Sequence, residues 1–239
     1  MTAKTPAVSA RTMARRAYHR LRQDIVTGQL PPGSKLKLES LVQTYGIGMS
    51  PLREALARLA GDQLVKTEDQ RGFWVAPLSL EELDDISRVR TLVETEALRL
   101  SIENGDEAWE QNLRATFDAL TQIEQSLSEG STQPSQETLD QWEECNHTFH
   151  TALVAACHST WLIRLQELLY QQAERYRRVS LSYSQGRRFV HDEHVAIYEA
   201  ALARNALRAC RLTEDHLMRT YDAVRSALTR KQAEEADVA

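Results

Sequence analysis

Residues 46–59 run Gly46-Ile47-Gly48-Met49-Ser50-Pro51-Leu52-Arg53-Glu54-Ala55-Leu56-Ala57-Arg58-Leu59. The glycines mark a tight turn. Ser50 is placed to cap a helix and Pro51 to open it, where a missing N–H costs nothing. That helix carries Leu52, Ala55, Leu56 and Leu59 on one face and Arg53 and Arg58 on the other. Upstream, Tyr18, Leu21 and Ile25 set out an amphipathic helix that stops at Gly28, and Pro31-Pro32-Gly33 is a rigid turn. A short helix over Glu39–Tyr45 follows, closed by Gly46. Downstream, Leu64-Val65-Lys66 and Gly72-Phe73-Trp74-Val75 read as two strands around a polar tip, Thr67 to Arg71.

Helix, helix, turn, helix and hairpin is the order of a winged helix-turn-helix. Charge points the same way. The whole chain of 239 residues has a net charge of −5, which argues against a polyanionic partner. Up to Leu78, however, there are 12 basic and 6 acidic residues, a balance of +6, while the other 17 basic and 28 acidic residues leave −11. A basic third on an acidic remainder suits a nucleic-acid-binding module joined to a domain with another task. The N-terminal turn of the Ser50 helix would meet base edges in the major groove, with Ser50 and nearby N–H groups on a phosphate and Arg53 reaching a guanine. Lys35, Lys37 and Arg58 would hold phosphates, and Arg71-Gly72 would form a wing tip in a minor groove.

From Ser79 onward every segment reads helical: about 79–104, 106–127, 136–157, 159–183, 187–203 and 205–231, with the clearest loop at 129–135. The predicted fold is mainly α, a winged helix-turn-helix followed by an all-α antiparallel bundle. Residues 1–15 are read as a basic flexible arm, 16–78 as the winged helix-turn-helix domain, 79–231 as the all-helical domain, and 232–239 as a polar tail. No run of about 18 apolar residues exists, so no membrane partner is expected and the chain is placed in the cytoplasm. Three cysteines at unpaired spacings support neither a disulfide framework nor a cysteine zinc site.

Asn146 and His150 share a helix face, while His194 and His216 fall on two later helices. Imidazoles from three helices of a bundle can converge on a divalent transition metal, but scattered histidines can also be hydrogen-bonded residues of core or surface. An enzyme reading competes. A di-iron bundle wants two Glu-x-x-His pairs, and Glu144-Cys145-Asn146-His147 supplies one; a metal-dependent hydrolase needs a base beside the ion, whereas Glu193 points about 100° from His194 on an ideal helix. A ligand-free helical adaptor is the third reading.

The N-terminal motif, Leu21-Arg22, Ile25, Gly28, Leu30, Pro32-Gly33, Pro51 to Leu56, Arg58-Leu59 and Arg71 to Val75, resembles the DNA-binding domain of GntR-type bacterial regulators. It departs from that pattern at Met49 and Leu38-Glu39, where the family commonly has charged DNA-contacting residues, which puts more of the base readout on Arg53. Asn146 to His150, Glu193-His194 and Asp215 to Leu217 are similar to the FCD ligand-binding domain of the FadR branch. The resemblance implies a homodimeric repressor, a double-stranded palindromic operator, and a metal held by Asn146, His150, His194 and His216. Zinc is favoured, with nickel or manganese as alternatives. Asn146 stands where the family usually has aspartate, so the ion would keep its full +2 charge and favour a carboxylate effector. Arg90 and Glu94 match the family's Arg-x-x-x-Glu. Together with Arg175 and Tyr176 they are the candidate effector residues, with Arg177 as a further cation and Tyr183 as a further hydroxyl donor; Arg175 and Arg178 share a face at i, i+3, which equally suits surface ion pairs. The carbon-starvation-induced regulators look nearest, which implies a dicarboxylate such as glutarate. No catalytic residue is expected.

Overall fold

The computed structural model describes residues 10–68, 71–129, 134–181 and 190–238. The chain divides into two units, Met1–Glu82 with Glu174–Ser182, and Leu83–Ala173 with Tyr183–Ala239.

In the first unit, α1 (Ala10–Val26), β1 (Lys35–Leu36), α2 (Leu38–Tyr45), α3 (Met49–Gly61), β2 (Val65–Glu68) and β3 (Gly72–Val75) follow in order. The apolar stripe Ala14, Ala17, Tyr18, Leu21 and Ile25 buries α1 against α3, whose Leu52, Leu56 and Leu59 are fully enclosed. Gly46 closes α2 in the left-handed region (φ 63°), its N–H donating to the Val42 carbonyl. The strands form an antiparallel sheet in the order β1-β3-β2, with Lys35 opposite Trp74 and Val65 opposite Val75.

Three sequence expectations change. Residues 10–15 are helical rather than a flexible arm, because Ala14 and Ala17 extend the buried stripe backward; the rest of the arm lies outside the described residues. Helix α3 begins two residues earlier than read, with Gly48 as N-cap and Ser50 and Pro51 inside its first turn. Pro51 remains harmless there, since none of the first N–H groups has an intrahelical partner. The third strand, β1, is too short to leave a pattern in the sequence.

The second unit contains most of α4 (Leu80–Asn104), α5 (Glu107–Glu129), α6 (Gln136–Val154), the greater part of α7 (Thr160–Leu181), α8 (His191–Leu202) and α9 (Ala206–Val238). Ser135 caps α6 by accepting from the Thr138 N–H. The Trp109 indole N–H donates to the Ala152 carbonyl at 2.9 Å, fixing α5 on α6 over a core of Leu98, Leu113, Leu120, Phe149 and Ile197. Cys210 to the Thr95 carbonyl and Tyr221 to Asp84 set α9 antiparallel beside α4. The expected polar tail is largely helical, as α9 runs to Val238. The Arg187-Arg188 pair and Tyr183 lie outside the described residues.

Candidate metal centre and DNA-binding face

Helix α6 presents Asn146 and His150 inward, α8 presents His194 and α9 presents His216, all buried. The ring centroids of the three histidines are 4.8 to 5.7 Å apart, and one ligand nitrogen from each lies within 4.8 Å of the others.

Each imidazole is tied from behind by a glutamate. His194 Nδ1 is 2.8 Å from Glu124, His216 Nδ1 is 2.8 Å from Glu193 and His150 Nδ1 is 3.5 Å from Glu94. A carboxylate accepting from Nδ1–H fixes the tautomer and leaves the Nε2 lone pair for a metal, the usual outer-shell arrangement of histidine sites. His194 Nε2 is buried with no hydrogen-bond partner among the described residues. So is Asn146 Oδ1, while the amide's Nδ2 donates to the Tyr170 hydroxyl at 2.7 Å. An unsatisfied buried polar atom costs about 1–3 kcal/mol, a penalty that coordination would remove. The donors present therefore fit a divalent transition metal, with Asn146 as a neutral fourth ligand.

The glutamates are themselves held. Arg90 Nε donates to Glu94 at 2.6 Å and its guanidinium lies 5.0 Å from the Tyr170 ring centroid. Glu124 also receives His191 Nδ1 at 2.8 Å and the Trp142 indole at 3.3 Å, and Glu193 receives Arg219 at 3.1 Å. Burial works to raise the Glu94 carboxyl, but the Arg90 charge and His150 outweigh it and hold it down to about 2. Burial also opposes ionisation of Glu124, and His194 and His191 bring its pKa below the usual range. Burial is the largest cause pushing His150 down to about 4 and His216 to about 3, so both stay neutral and ready to ligate. Ionised Glu94 and Glu124 stand just behind the rings of His150 and His194.

Of the four expected effector residues, Arg90 and Glu94 lie in this assembly, with Glu94 occupied by Arg90 and His150. Arg175 and Tyr176 have other occupations. Arg175 is fully buried, and its Nη2 donates to the carbonyls of Ala76 (2.8 Å) and Pro77 (2.6 Å), while Tyr176 bonds Glu82 and accepts the Ser79 N–H. Both belong to the first unit and grip the segment that follows β3. Arg178 pairs with Glu174, which also pairs with Arg22. Sequence reasoning missed Glu124 and Tyr170; the visible signal was that His191 and His194 share a face at i, i+3. Glu193, weighed as a hydrolytic base, instead sits on the Nδ1 side of His216.

On the first unit, Met49, Ser50 and Arg53 are exposed at the N-terminal end of α3, with Lys35, Lys37, Arg71 and Gly72 exposed as well. Lys35 Nζ is 4.9 Å from the Trp74 ring centroid, and Arg71 at the hairpin is 3.7 Å from Glu68. Asp69 and Gln70 of the hairpin lie outside the described residues. Arg58 is in the last turn of α3, its guanidinium 3.9 Å from the Tyr18 ring centroid, while the Tyr18 hydroxyl donates to Asp62 at 2.7 Å. The structure thus gives Arg58 a packing contact between α1 and α3, roughly 12 Å along the helix from Ser50 at 1.5 Å per residue.

Two family profiles cover the two units: "Bacterial regulatory proteins, gntR family" matches residues 13–75 and "FCD domain" matches residues 85–219. The HTH-type transcriptional regulator BphR of Paraburkholderia xenovorans (strain LB400) is 39% identical over 220 residues, covering 92% of this chain and 88% of that protein. The HTH-type transcriptional repressor GlaR of Escherichia coli (strain K12) is 34% identical over 220 residues, covering 88% and 95%. The structure of E. coli McbR/YncC superimposes with a TM-score of 0.73 at 19% identity, over 92% of this chain and 98% of that one.

A winged helix with a cationic face, joined to a helical bundle around buried histidines, is the architecture of a DNA-binding regulator. The chain belongs to the GntR family of bacterial regulatory proteins, in its FCD-domain branch. It is a DNA-binding transcriptional regulator, not an enzyme. Among the described residues no helix is long and apolar enough to cross a membrane.

Proposed function

We propose that the protein is a cytoplasmic, homodimeric repressor that binds a palindromic operator and is released from it by a small carboxylate taken up beside a metal ion in the bundle. Asn146, His150, His194 and His216 would hold the ion, zinc being favoured by three imidazoles and one oxygen, with nickel or manganese as alternatives. The bound ion supplies an electrophilic centre that a carboxylate oxygen can join. Arg90 is the cation for a second carboxylate, which favours a short dicarboxylate such as glutarate. Ser50, Pro51 and Arg53 in the first turns of α3, flanked by Lys35, Lys37 and the Arg71-Gly72 wing, would read and grip the operator. Each ligand would favour a different conformation, so effector binding and DNA binding oppose one another.

The observation that carries this reading is the pair of orphaned acceptors, Asn146 Oδ1 and His194 Nε2, among three imidazoles whose Nδ1 atoms are already taken. The test combines metal analysis with thermal unfolding in the presence of glutarate and related acids. The expected result is one ion per chain and a stabilisation by dicarboxylate that vanishes with chelator and in Arg90→Ala. Stabilisation that persists in the stripped protein would refute a shared site, and persistence in Arg90→Ala would refute the effector assignment.

A further inference from the structure

Helix α7 carries a buried amide that neither the histidine centre nor the apolar core accounts for. Gln166 is 1% exposed, and both its Oε1 and its Nε2 are enclosed with no hydrogen-bond partner among the described residues. A buried serine or threonine hydroxyl can turn to a carbonyl of its own helix. A primary amide offers two donors and an acceptor on opposite sides, so no single turn satisfies it. Burying both ends unpaired is unfavourable, and hydrogen bonds to a bound polar group would remove that cost.

The neighbours of Gln166 along α7 place it. Tyr170 stands one turn further on and on the same face, its hydroxyl accepting from Asn146 Nδ2 at 2.7 Å and its ring centroid 6.0 Å from that of His150. His147 meets Glu167 at 2.7 Å. These pairs run α6 and α7 antiparallel, so one turn back from Tyr170 matches one turn on from Asn146, which is the level of His150. On α9, Thr213 precedes the buried His216 by three residues and so shares its face. Thr213 is 2% exposed, and its hydroxyl too is enclosed with no partner among the described residues. Gln166 and Thr213 both lie on the side of the imidazoles that leads into the core, toward Leu153 on α6 and Ala209 on α9. Arg90 lies on the other side, because α4 enters that core at Ala97 and Leu98, beyond Glu94.

We propose that Gln166 and Thr213 select the effector by holding the inner end of a 2-hydroxycarboxylate whose chain runs outward to Arg90. The inference rests on the carboxylate reading given above and adds the class of acid, a short dicarboxylate hydroxylated next to one carboxyl. A carboxylate accepts hydrogen bonds and donates none, so it can satisfy the Thr213 hydroxyl and the Gln166 Nε2 but leaves Oε1 unpaired. A hydroxyl on the adjacent carbon supplies the missing donor. An ammonium there would also donate, but beside a divalent cation its charge is repelled. A site built to hydrogen-bond a hydroxyl discriminates strongly against the analogue that lacks it, because its own polar groups are then left unpaired.

Calorimetric titration of the full, zinc-loaded chain with glutarate and with each enantiomer of 2-hydroxyglutarate tests the assignment. The better hydroxy acid should bind at least about tenfold more tightly than glutarate. Gln166→Leu should bring that ratio to about one, and Gln166→Met, which keeps the length of the side chain, should do the same. Thr213→Val, of nearly the same shape, should weaken both acids by a similar factor and leave the ratio standing. A ratio near one in the wild type overturns the hydroxyl preference while leaving the carboxylate reading in place. A high ratio that both Gln166 variants retain overturns the role of Gln166, and unweakened binding in Thr213→Val removes Thr213 from the site. Binding of neither acid to the zinc-loaded wild type overturns the carboxylate reading itself.

Discussion

The face of α3 and the histidine centre are built on opposite principles. Around Ser50 and Arg53 the side chains are exposed and backed by a core of leucines that does nothing but hold the helix. Around His150, His194 and His216 every functional side chain is buried, and the imidazoles lean on glutamates that are in turn held by Arg90, Trp142, His191 or Arg219. The first surface can meet a long polyanion and be tuned by salt; the second holds its donors fixed, as the proposed binding of one small ion requires. Contacts on the exposed face should act nearly independently, whereas losses in the buried one should spread through its neighbours.

The largest expected effect is at the centre. His194→Ala removes a proposed ligand and strands Glu124, so the purified variant should retain no stoichiometric metal after dialysis, measured by elemental analysis. On the exposed face, Arg53→Ala should weaken operator binding by about 1–3 kcal/mol, or roughly 10- to 100-fold, and relax selectivity at one base pair in a bandshift series. Glu124→Gln keeps every ligand but weakens the acceptor behind His194. Metal affinity should fall ~10–100-fold, which a competition titration with a chelating dye reads. An unchanged affinity there would mean that the carboxylates are incidental.

The buried centre also predicts a pH dependence that the exposed face does not share. His150 and His216 lie near 4 and 3 in the folded chain, against an ordinary value of 6.5. Between those limits the unfolded chain binds protons that the folded chain refuses. Stability of the metal-free protein is therefore complete above about pH 6.5 and declines as the pH falls toward 4 and 3. Denaturant titrations should show that decline flattened in His216→Gln; an equal slope in variant and wild type contradicts the assignment. The smallest effect belongs to Lys37→Ala, which should weaken binding to every DNA sequence alike by a few-fold and lower the slope of log affinity against log salt by about one.

The contrast also explains what could be read in the chain. The apolar spacing of Leu52, Leu56 and Leu59 and the glycine stops placed α2, α3 and the hairpin, because those signals are local and periodic. Strand β1, two residues long, exists only through its pairing with β3 and has no period of its own. The start of α1 at Ala10 was hidden by arginines that share the helix with Ala14 and Ala17. Within the centre, Asn146, His150, His194 and His216 could be singled out by helix spacing and resemblance. Glu124 could not, since its role depends on α5 meeting α8 across the bundle. Where Arg175 and Tyr176 reach was hidden for a related reason, since their partners lie on the segment after β3. The Nη2 of Arg175 serves the carbonyls of Ala76 and Pro77, while its Nε and Nη1 are buried with no hydrogen-bond partner among the described residues.

In the proposed function the buried centre governs the exposed face through a metal and a carboxylate. The most direct measurement is the affinity of the full chain for DNA upstream of its own gene, titrated with glutarate before and after metal removal by chelator. In the metal-loaded protein the dicarboxylate should weaken binding at least tenfold, and in the stripped protein it should have no effect. An equal response in both states, or none in the loaded protein, contradicts the claim.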